Sequence, residues 1–312
     1  MERQGRIAVI GSMNRDVVLK VKTHPLPGET VYSADLAYNH GGKGANQAVA
    51  AAKSGAQVVM IGAVGMDDAG ADFISSLQAQ GICTSGIKRK EGDSGQAFIQ
   101  VDEAAENCII LSPGANGRLT PEDVQQAWTA AATCSAVFIQ NEIPYETSMA
   151  AIIQAAATGK RVYYNPAPAI RLQQEALSAI HCLILNEIEA ATVLEGDGIE
   201  DTDRDAEETV RQLLAAGVES VILTLGARGA MYADRSGQWY EVAAFQVQAV
   251  DTTAAGDTFI GAYGAMREIG EDVAYALHYA AAAAALCVTQ HGAQSSIPTR
   301  TRVESFLQHN VT

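Results

Sequence analysis

Residues 251–264 read Asp-Thr-Thr-Ala-Ala-Gly-Asp-Thr-Phe-Ile-Gly-Ala-Tyr-Gly, and they hold the chemistry that is easiest to read from residue types alone. An extended segment ends at Val250-Asp251, small residues follow, and Asp257 stands near the start of an apolar helical pattern. Such a junction leaves free N–H groups around Ala255, Gly256 and Asp257, at the positive end of a helix dipole and beside one carboxylate. An anion can rest on the amides while Asp257 takes a proton from a nucleophile next to it. That is equipment for moving a phosphoryl group onto a hydroxyl. The plainer reading of the same residues is a capped helix after a glycine-containing turn, with Asp257 as N-cap.

Other polar residues gather at similar junctions. Asn14 and Asp16 follow the first strand pattern, and their alternate spacing points both side chains to one face, where an amide and a carboxylate can bond adjacent hydroxyls. As turn formers they also have a simpler explanation. Glu142 lies just past another strand, in Gln140-Asn141-Glu142-Ile143-Pro144, as either a ligand carboxylate or a solvated loop acid. Gly41-Gly42-Lys43-Gly44 is not a Walker P-loop, because Gly44 stands where Ser or Thr is required after the lysine. It reads as a turn into a helix N-terminus, open to close backbone approach. Glu189, read alone, suits an exposed first-turn helix acid favoured by the dipole. The six histidines offer no metal spacing and no Ser-His-Asp set.

Asp-Thr-Thr-Ala-Ala-Gly-Asp-Thr-Phe (251–259) resembles the C-terminal signature of the ribokinase-like (PfkB) carbohydrate kinases, and Gly41-Gly42-Lys43-Gly44-Ala45-Asn46-Gln47-Ala48 resembles their N-terminal sugar-binding motif. The two occur in the expected order, and the resemblance extends over essentially the whole chain. It implies Asp257 as catalytic base, with an anion hole at Ala255, Gly256 and Asp257. It implies a sugar site of Asn14, Asp16, Gly42, Lys43, Asn46 and Glu142, with Lys43 and Asn46 donating to hydroxyls. Asn186-Glu187-Ile188-Glu189 is similar to the family's Asn-x-x-Glu motif, which implies Asn186 as a nucleotide contact and Glu189 as an indirect, water-mediated Mg²⁺ ligand. Thr224, Gly226 and Gly229 match its nucleotide loop, although alone they read as a strand–turn–strand. Ala281 stands where the family commonly places His or Asn near the adenine, so apolar contact is expected there; His278 is a helical turn earlier. The stretch 287–296 resembles a monovalent-cation loop, which implies K⁺ held by Asp251, Thr253, Cys287, Gln290, Gly292 and Ser296, mostly through carbonyls. The implied reaction is ATP-dependent phosphorylation of the primary hydroxyl of a pentose, D-ribose to D-ribose 5-phosphate. The alternatives are a deoxyribose, fructose or other ketose, or a nucleoside, and, from another class, a non-catalytic sugar-binding protein on the same fold.

The elements that position these residues follow from periodicity. Ile7–Gly11, Val58–Val64, Val137–Gln140, Val162–Asn165, Cys182–Leu185 and Val221–Leu225 are short, non-alternating and rich in Val and Ile, as strands covered on both faces are. Helical patterns alternate with them at 45–54, 68–80, 121–132, 146–158, 187–194 and 205–216. The alternation predicts an α/β fold with a central, mostly parallel sheet flanked by helices, and puts Asn165, Asn186 and Gly226 at carboxyl ends of strands. Residues 14–40 and 94–112 alternate instead and read as inserted antiparallel strands, which the resemblance makes a small β-sheet lid and a homodimer interface. Residues 1–312 then form one domain, without repeats or long linkers.

Composition bounds the rest. The 312 residues are 48% hydrophobic and 18% charged, as in a globular enzyme. A net charge of −15 without a Lys/Arg cluster argues against a nucleic-acid surface. An acidic protein that binds ATP needs a divalent cation to screen the phosphates. No apolar run is long enough to span a bilayer, and the first residues enter a strand pattern without the regions of a signal peptide. Five scattered cysteines without Cys-x-x-Cys spacing read as reduced thiols, so a cytoplasmic location is expected.

Overall fold

The computed structural model describes residues 5–310 apart from 105, 173 and 196–204, so the outermost ends of the expected 1–312 domain lie outside the described residues. The chain opens with β1 (Arg6–Ile10), β2 (Asn14–Lys20), β3 (Asp35–Gly41), α1 (Lys43–Lys53), β4 (Gln57–Gly65) and α2 (Asp68–Ala79). Next come β5 (Cys83–Lys90), β6 (Gly95–Val101), β7 (Asn107–Ser112), α3 (Pro121–Ala127), β8 (Ala136–Gln140), α4 (Tyr145–Ala157) and β9 (Arg161–Asn165). They are followed by α5 (Gln174–Leu177), β10 (Cys182–Asn186), α6 (Glu187–Glu195), α7 (Ala206–Ala215) and β11 (Ser220–Thr224). The chain closes with β12 (Ala230–Asp234), β13 (Trp239–Val242), α8 (Ala255–Ile269), α9 (Val273–Cys287) and α10 (Arg300–His309).

A 9-stranded sheet runs β13-β12-β11-β10-β9-β8-β1-β4-β5. Neighbours from β11 through β5 pair in parallel, and only β12 and β13 at one edge are antiparallel. Apolar layers cover both faces. Ile7 and Val9 of β1 join a core with α1, α8 and α9, while Ala8 and Ile10 join one with α4 and α7. Burial on both sides explains why these strands do not alternate; each large aliphatic side chain fully buried contributes about 1.5–3 kcal/mol. The sequence reading passed over β5, whose Cys-Thr-Ser-Gly-Ile-Lys-Arg-Lys is too polar to read as an interior strand and lies at the sheet edge.

The inserted segments form a separate 4-stranded sheet, β3-β2-β6-β7. Its β2–β3 and β6–β7 pairs are antiparallel as expected, but β2 and β6 pair in parallel. The reason lies in the larger sheet: β2 continues from β1 and β6 from β5, and both of those strands point the same way. Within this sheet Asn14 and Asp16 are buried, whereas β7 is exposed along its length.

Candidate active site

The site forms where α1 and α8 begin at the carboxyl ends of the large sheet's strands. Helix α1 starts after Gly42, whose φ of 90° suits only glycine and whose missing side chain leaves the helix without its own N-cap. Glu142 supplies the cap from 99 residues away: its Oε2 accepts the Lys43 amide at 3.0 Å, the Ser12 hydroxyl at 2.6 Å and the Asn14 amide at 3.3 Å. It is thus no solvated loop acid, and three donors fix where its carboxylate points. Asn14 is held in turn, since its Oδ1 accepts from Asn116 at 2.7 Å, leaving the second hydrogen of its Nδ2 to donate beyond Glu142. Burial, with the like charges of Glu142 and Asp257, pushes the Asp16 carboxyl up to about 7.

Asp257 lies in the first turn of α8, three residues beyond the N-cap Ala254, and is buried. Its Oδ2 accepts from Asn46 Nδ2 and its Oδ1 from Gln47 Nε2, both at 3.0 Å. One hydrogen of the Asn46 NH₂ thus serves Asp257, which leaves its second hydrogen and its buried, unpartnered Oδ1 to face a ligand. Gly261, one turn after Asp257, lets the two helices meet. A Cβ there would lie 2.5 Å from the Ala50 Cβ and 2.6 Å from the Gln47 carbonyl oxygen.

The α8 N-cap, Ala254, has a φ of 61°, a left-handed conformation that costs an alanine about 1–2 kcal/mol. Beyond it, the amides of Gly256 and Asp257 have no hydrogen-bond partner among the described residues. The Ala255 amide, expected to be free, instead closes a turn onto the Thr252 carbonyl at 3.2 Å. A Cβ on Gly256 would meet no atom within 4 Å, so the backbone there is open to close approach.

These amides face a cleft of about 220 Å³ lined by, among others, Lys43, Asn165, Asn186, Glu189, Thr224 and Asp257. Asn186 and Glu189 bond reciprocally: the Asn186 amide donates to Glu189 Oε2 at 3.0 Å and Asn186 Oδ1 accepts from the Glu189 amide at 2.8 Å. Burial raises the Glu189 pKa, opposed by its bond from Asn186 and by the Lys43 charge. Burial works against the Lys43 ammonium, but the carboxylates of Asp257, Glu142 and Glu189 outweigh it and hold its pKa above the ordinary lysine value. Gly226 and Gly229 lie in the exposed turn just past Thr224, outside this lining. Ala281 does not reach the cleft either; it is packed in the core midway along α9.

The six residues of the expected cation loop come together behind α8. Asp251 accepts the Thr253 and Gly292 amides, both at 2.9 Å, and these bonds outweigh burial and hold its carboxyl below the usual range. The Cys287 thiol lies 3.0 Å from the Ser296 hydroxyl and accepts from Thr258, next to Asp257, at 3.3 Å. The Gln290 amide bonds the Cys287 carbonyl at 3.1 Å. Among the described residues no group of three or more His, Cys, Asp and Glu side chains forms a metal cluster.

Several contributors escaped the sequence reading. Ser12, Gln47, Asn116 and Gln140 hold the site residues in place through side-chain bonds, while Asn165, at the strand end where it was expected, accepts from Gln47 at 3.5 Å. Gln47 alone had a visible signal, inside the Gly41–Ala48 motif.

Residues 4–300 match the model of the pfkB family carbohydrate kinases. A ribokinase of Schizosaccharomyces pombe is 40% identical over 306 residues, 96% of each chain. A deoxyribokinase of Salmonella typhi is 36% identical over 307 residues, 97% of this chain and 99% of that one. The structure of an Arabidopsis thaliana ribokinase complexed with ribose and ATP superposes with a TM-score of 0.87 at 27% identity, covering 98% of this chain and 99% of that one. By sequence over nearly its whole length, and by fold, the chain belongs to the pfkB family of carbohydrate kinases.

Proposed function

We propose that the chain transfers the γ-phosphoryl group of ATP to the primary hydroxyl of a pentose, converting D-ribose to D-ribose 5-phosphate. The observation that carries this reading is the place of Asp257: its carboxylate joins a buried polar pocket on the α1 side to a cleft with unbonded helix amides on the other. Asn14, Asp16, Gly42, Lys43, Asn46 and Glu142 hold the sugar. Asp257 takes the proton of the hydroxyl as its oxygen forms the new bond to γ-phosphorus, and the bond from phosphorus to the β–γ bridging oxygen breaks to release ADP. The Gly256 and Asp257 amides, joined by Ala255 if its turn opens, stabilise charge on the transferred group. Asn186, Thr224, Gly226 and Gly229 serve the nucleotide, with Ala281 behind the adenine region. Glu189 would hold Mg²⁺ through water, and the ion would offset phosphate charge. The loop of Asp251, Thr253, Cys287, Gln290, Gly292 and Ser296 would hold K⁺, which would stiffen the segment before α8.

The second reading, a deoxyribose kinase, has the Salmonella relative in its favour. ADP release measured across pentoses, hexoses and nucleosides separates the two. Ribose should be preferred; a higher kcat/KM for 2-deoxyribose selects the second reading, and no sugar-dependent release overturns both. Equal kcat with and without K⁺ removes the monovalent ion.

The same reading treats the chain as one α/β domain with the small sheet as its lid, working in the cytoplasm; no helix among the described residues is long and apolar enough to cross a membrane. It also pairs two copies through the lids. Tyr38, Phe98 and Ile110 are exposed in one row across that sheet, with the buried Val17 between Tyr38 and Phe98, which supports the pairing. Sedimentation should give a dimer that Ile110→Lys converts to monomer, and a monomeric wild-type chain removes the pairing.

A further inference from the structure

We propose that Gln47 and Gln140 form a directional amide relay that positions the Asp257 carboxylate to take a proton. The inference rests on the reading of Asp257 as the base. Both glutamines are fully buried. Gln140, at the end of β8, donates through Nε2 to Gln47 Oε1 at 2.5 Å, and Gln47 donates through Nε2 to Asp257 Oδ1 at 3.0 Å. A lone glutamine amide can turn over and present its oxygen to a carboxylate, an arrangement that repels. Here the Gln140 donor occupies that oxygen, so only the NH₂ of Gln47 can face Asp257. Asn46 holds the other carboxylate oxygen, and each oxygen of the base thus has one side-chain amide donor.

Two further details favour a positioning role over simple packing. Gln140 Oε1 is buried without a partner, a cost that an apolar residue at this position would not carry. Gly11 makes room for it, since a Cβ at residue 11 would lie 2.1 Å from that oxygen. The relay begins on a central strand of the sheet, so the orientation of the base is referred to the most rigid part of the fold.

The titratable groups near Asp257 are Lys43 on α1, Asp16 on β2, Glu142 after β8, Glu189 on α6 and Cys287 on α9. The test therefore reads kcat at saturating sugar and ATP, where substrate binding by these groups drops out. Gln47→Met removes the donor. Gln140→Glu replaces the donor behind it with an acceptor, so the Gln47 amide turns over. Each variant should lower kcat about tenfold or more, with sugar KM within about threefold, and move the acid limb of the kcat profile to higher pH, because the anion has lost a donor. Folded variants with unchanged kcat and an unchanged acid limb would overturn the relay. If neither variant folds, the side-chain amide resonances of Gln47 in the wild-type protein decide. They should titrate with the midpoint of the acid limb and stop doing so in Asp257→Asn; resonances that ignore that midpoint overturn the proposal. Near-normal turnover in Asp257→Asn sinks the base reading itself, whereas an inactive Asp257→Asn beside wild-type-like glutamine variants sinks only the relay.

Discussion

The two halves of the site are built differently. Around α1, side chains are buried and bonded to one another before any ligand arrives: Glu142 takes three donors, Asn14 leans on Asn116, and Asp257 takes Asn46 and Gln47. Across the cleft, Asn186 and Gly256 are exposed, and the Gly256 and Asp257 amides at the start of α8 are among the groups on offer. A side with fixed side chains selects by hydroxyl pattern. A side of backbone amides holds phosphate of any kind and depends little on residue identity. Substitutions on the first side should therefore be costly and substrate-specific, and those on the second mild.

The sharpest test is Asp257→Asn, which should reduce kcat by about 10²–10⁴-fold while sugar binding stays measurable by calorimetry. Glu142→Ala comes next. It removes the cap of α1 together with a carboxylate proposed to meet the sugar, so sugar KM should rise about tenfold or more while stability falls by about 1–2 kcal/mol in denaturant titration. A variant that loses affinity at full stability would show that the cap does not matter to the fold.

Asp16 gives an intermediate effect with a definite sign. With its carboxyl pushed up to about 7, it is neutral in the free protein below that pH and must ionise to accept sugar hydroxyls. Sugar KM should therefore fall as pH rises through about 7, and Asp16→Asn should flatten that dependence. Stability responds in the opposite sense. The native carboxyl keeps its proton where the unfolded one has lost it, so this group's contribution is full below about pH 4 and is lost as pH rises towards 7. The smallest effect belongs to Thr224→Ala on the far side. Its hydroxyl makes one 3.3 Å bond to the Leu185 carbonyl, and KM for ATP should change by less than about threefold. A larger change there would erase the contrast between the halves.

The same contrast governs what could be read from the sequence. The interior strands were legible because burial on both faces leaves runs such as Ile7–Ile10 and Leu183–Leu185. Strand β5 was not, since an edge strand can be as polar as Lys88-Arg89-Lys90. The glycines before α1 and the run of small residues Thr252 to Gly256 at the start of α8 marked both helix starts. No local pattern marks a bond between Glu142 and Lys43, or tells which atom of Asn46 is already taken, because those are settled by parts of the chain 99 and 211 residues apart. Periodicity reports what one element does; it does not report which distant side chain completes it. The parallel β2–β6 pairing escaped for the same reason, being dictated by the direction of strands in the other sheet.

The distant cap on α1 also bears on the order in which the molecule is made. A ribosome delivers Lys43 and Gly44 long before Glu142, so the first turn of α1 emerges without its cap and the polar pocket beside it stays unfinished for 99 residues of synthesis. Asp257 follows later still, 211 residues after Asn46. The nascent protein therefore has the cap of α1 in hand before it gains Asp257. A chain cut short between Glu142 and Asp257 carries that cap without the carboxylate that Asn46 and Gln47 hold.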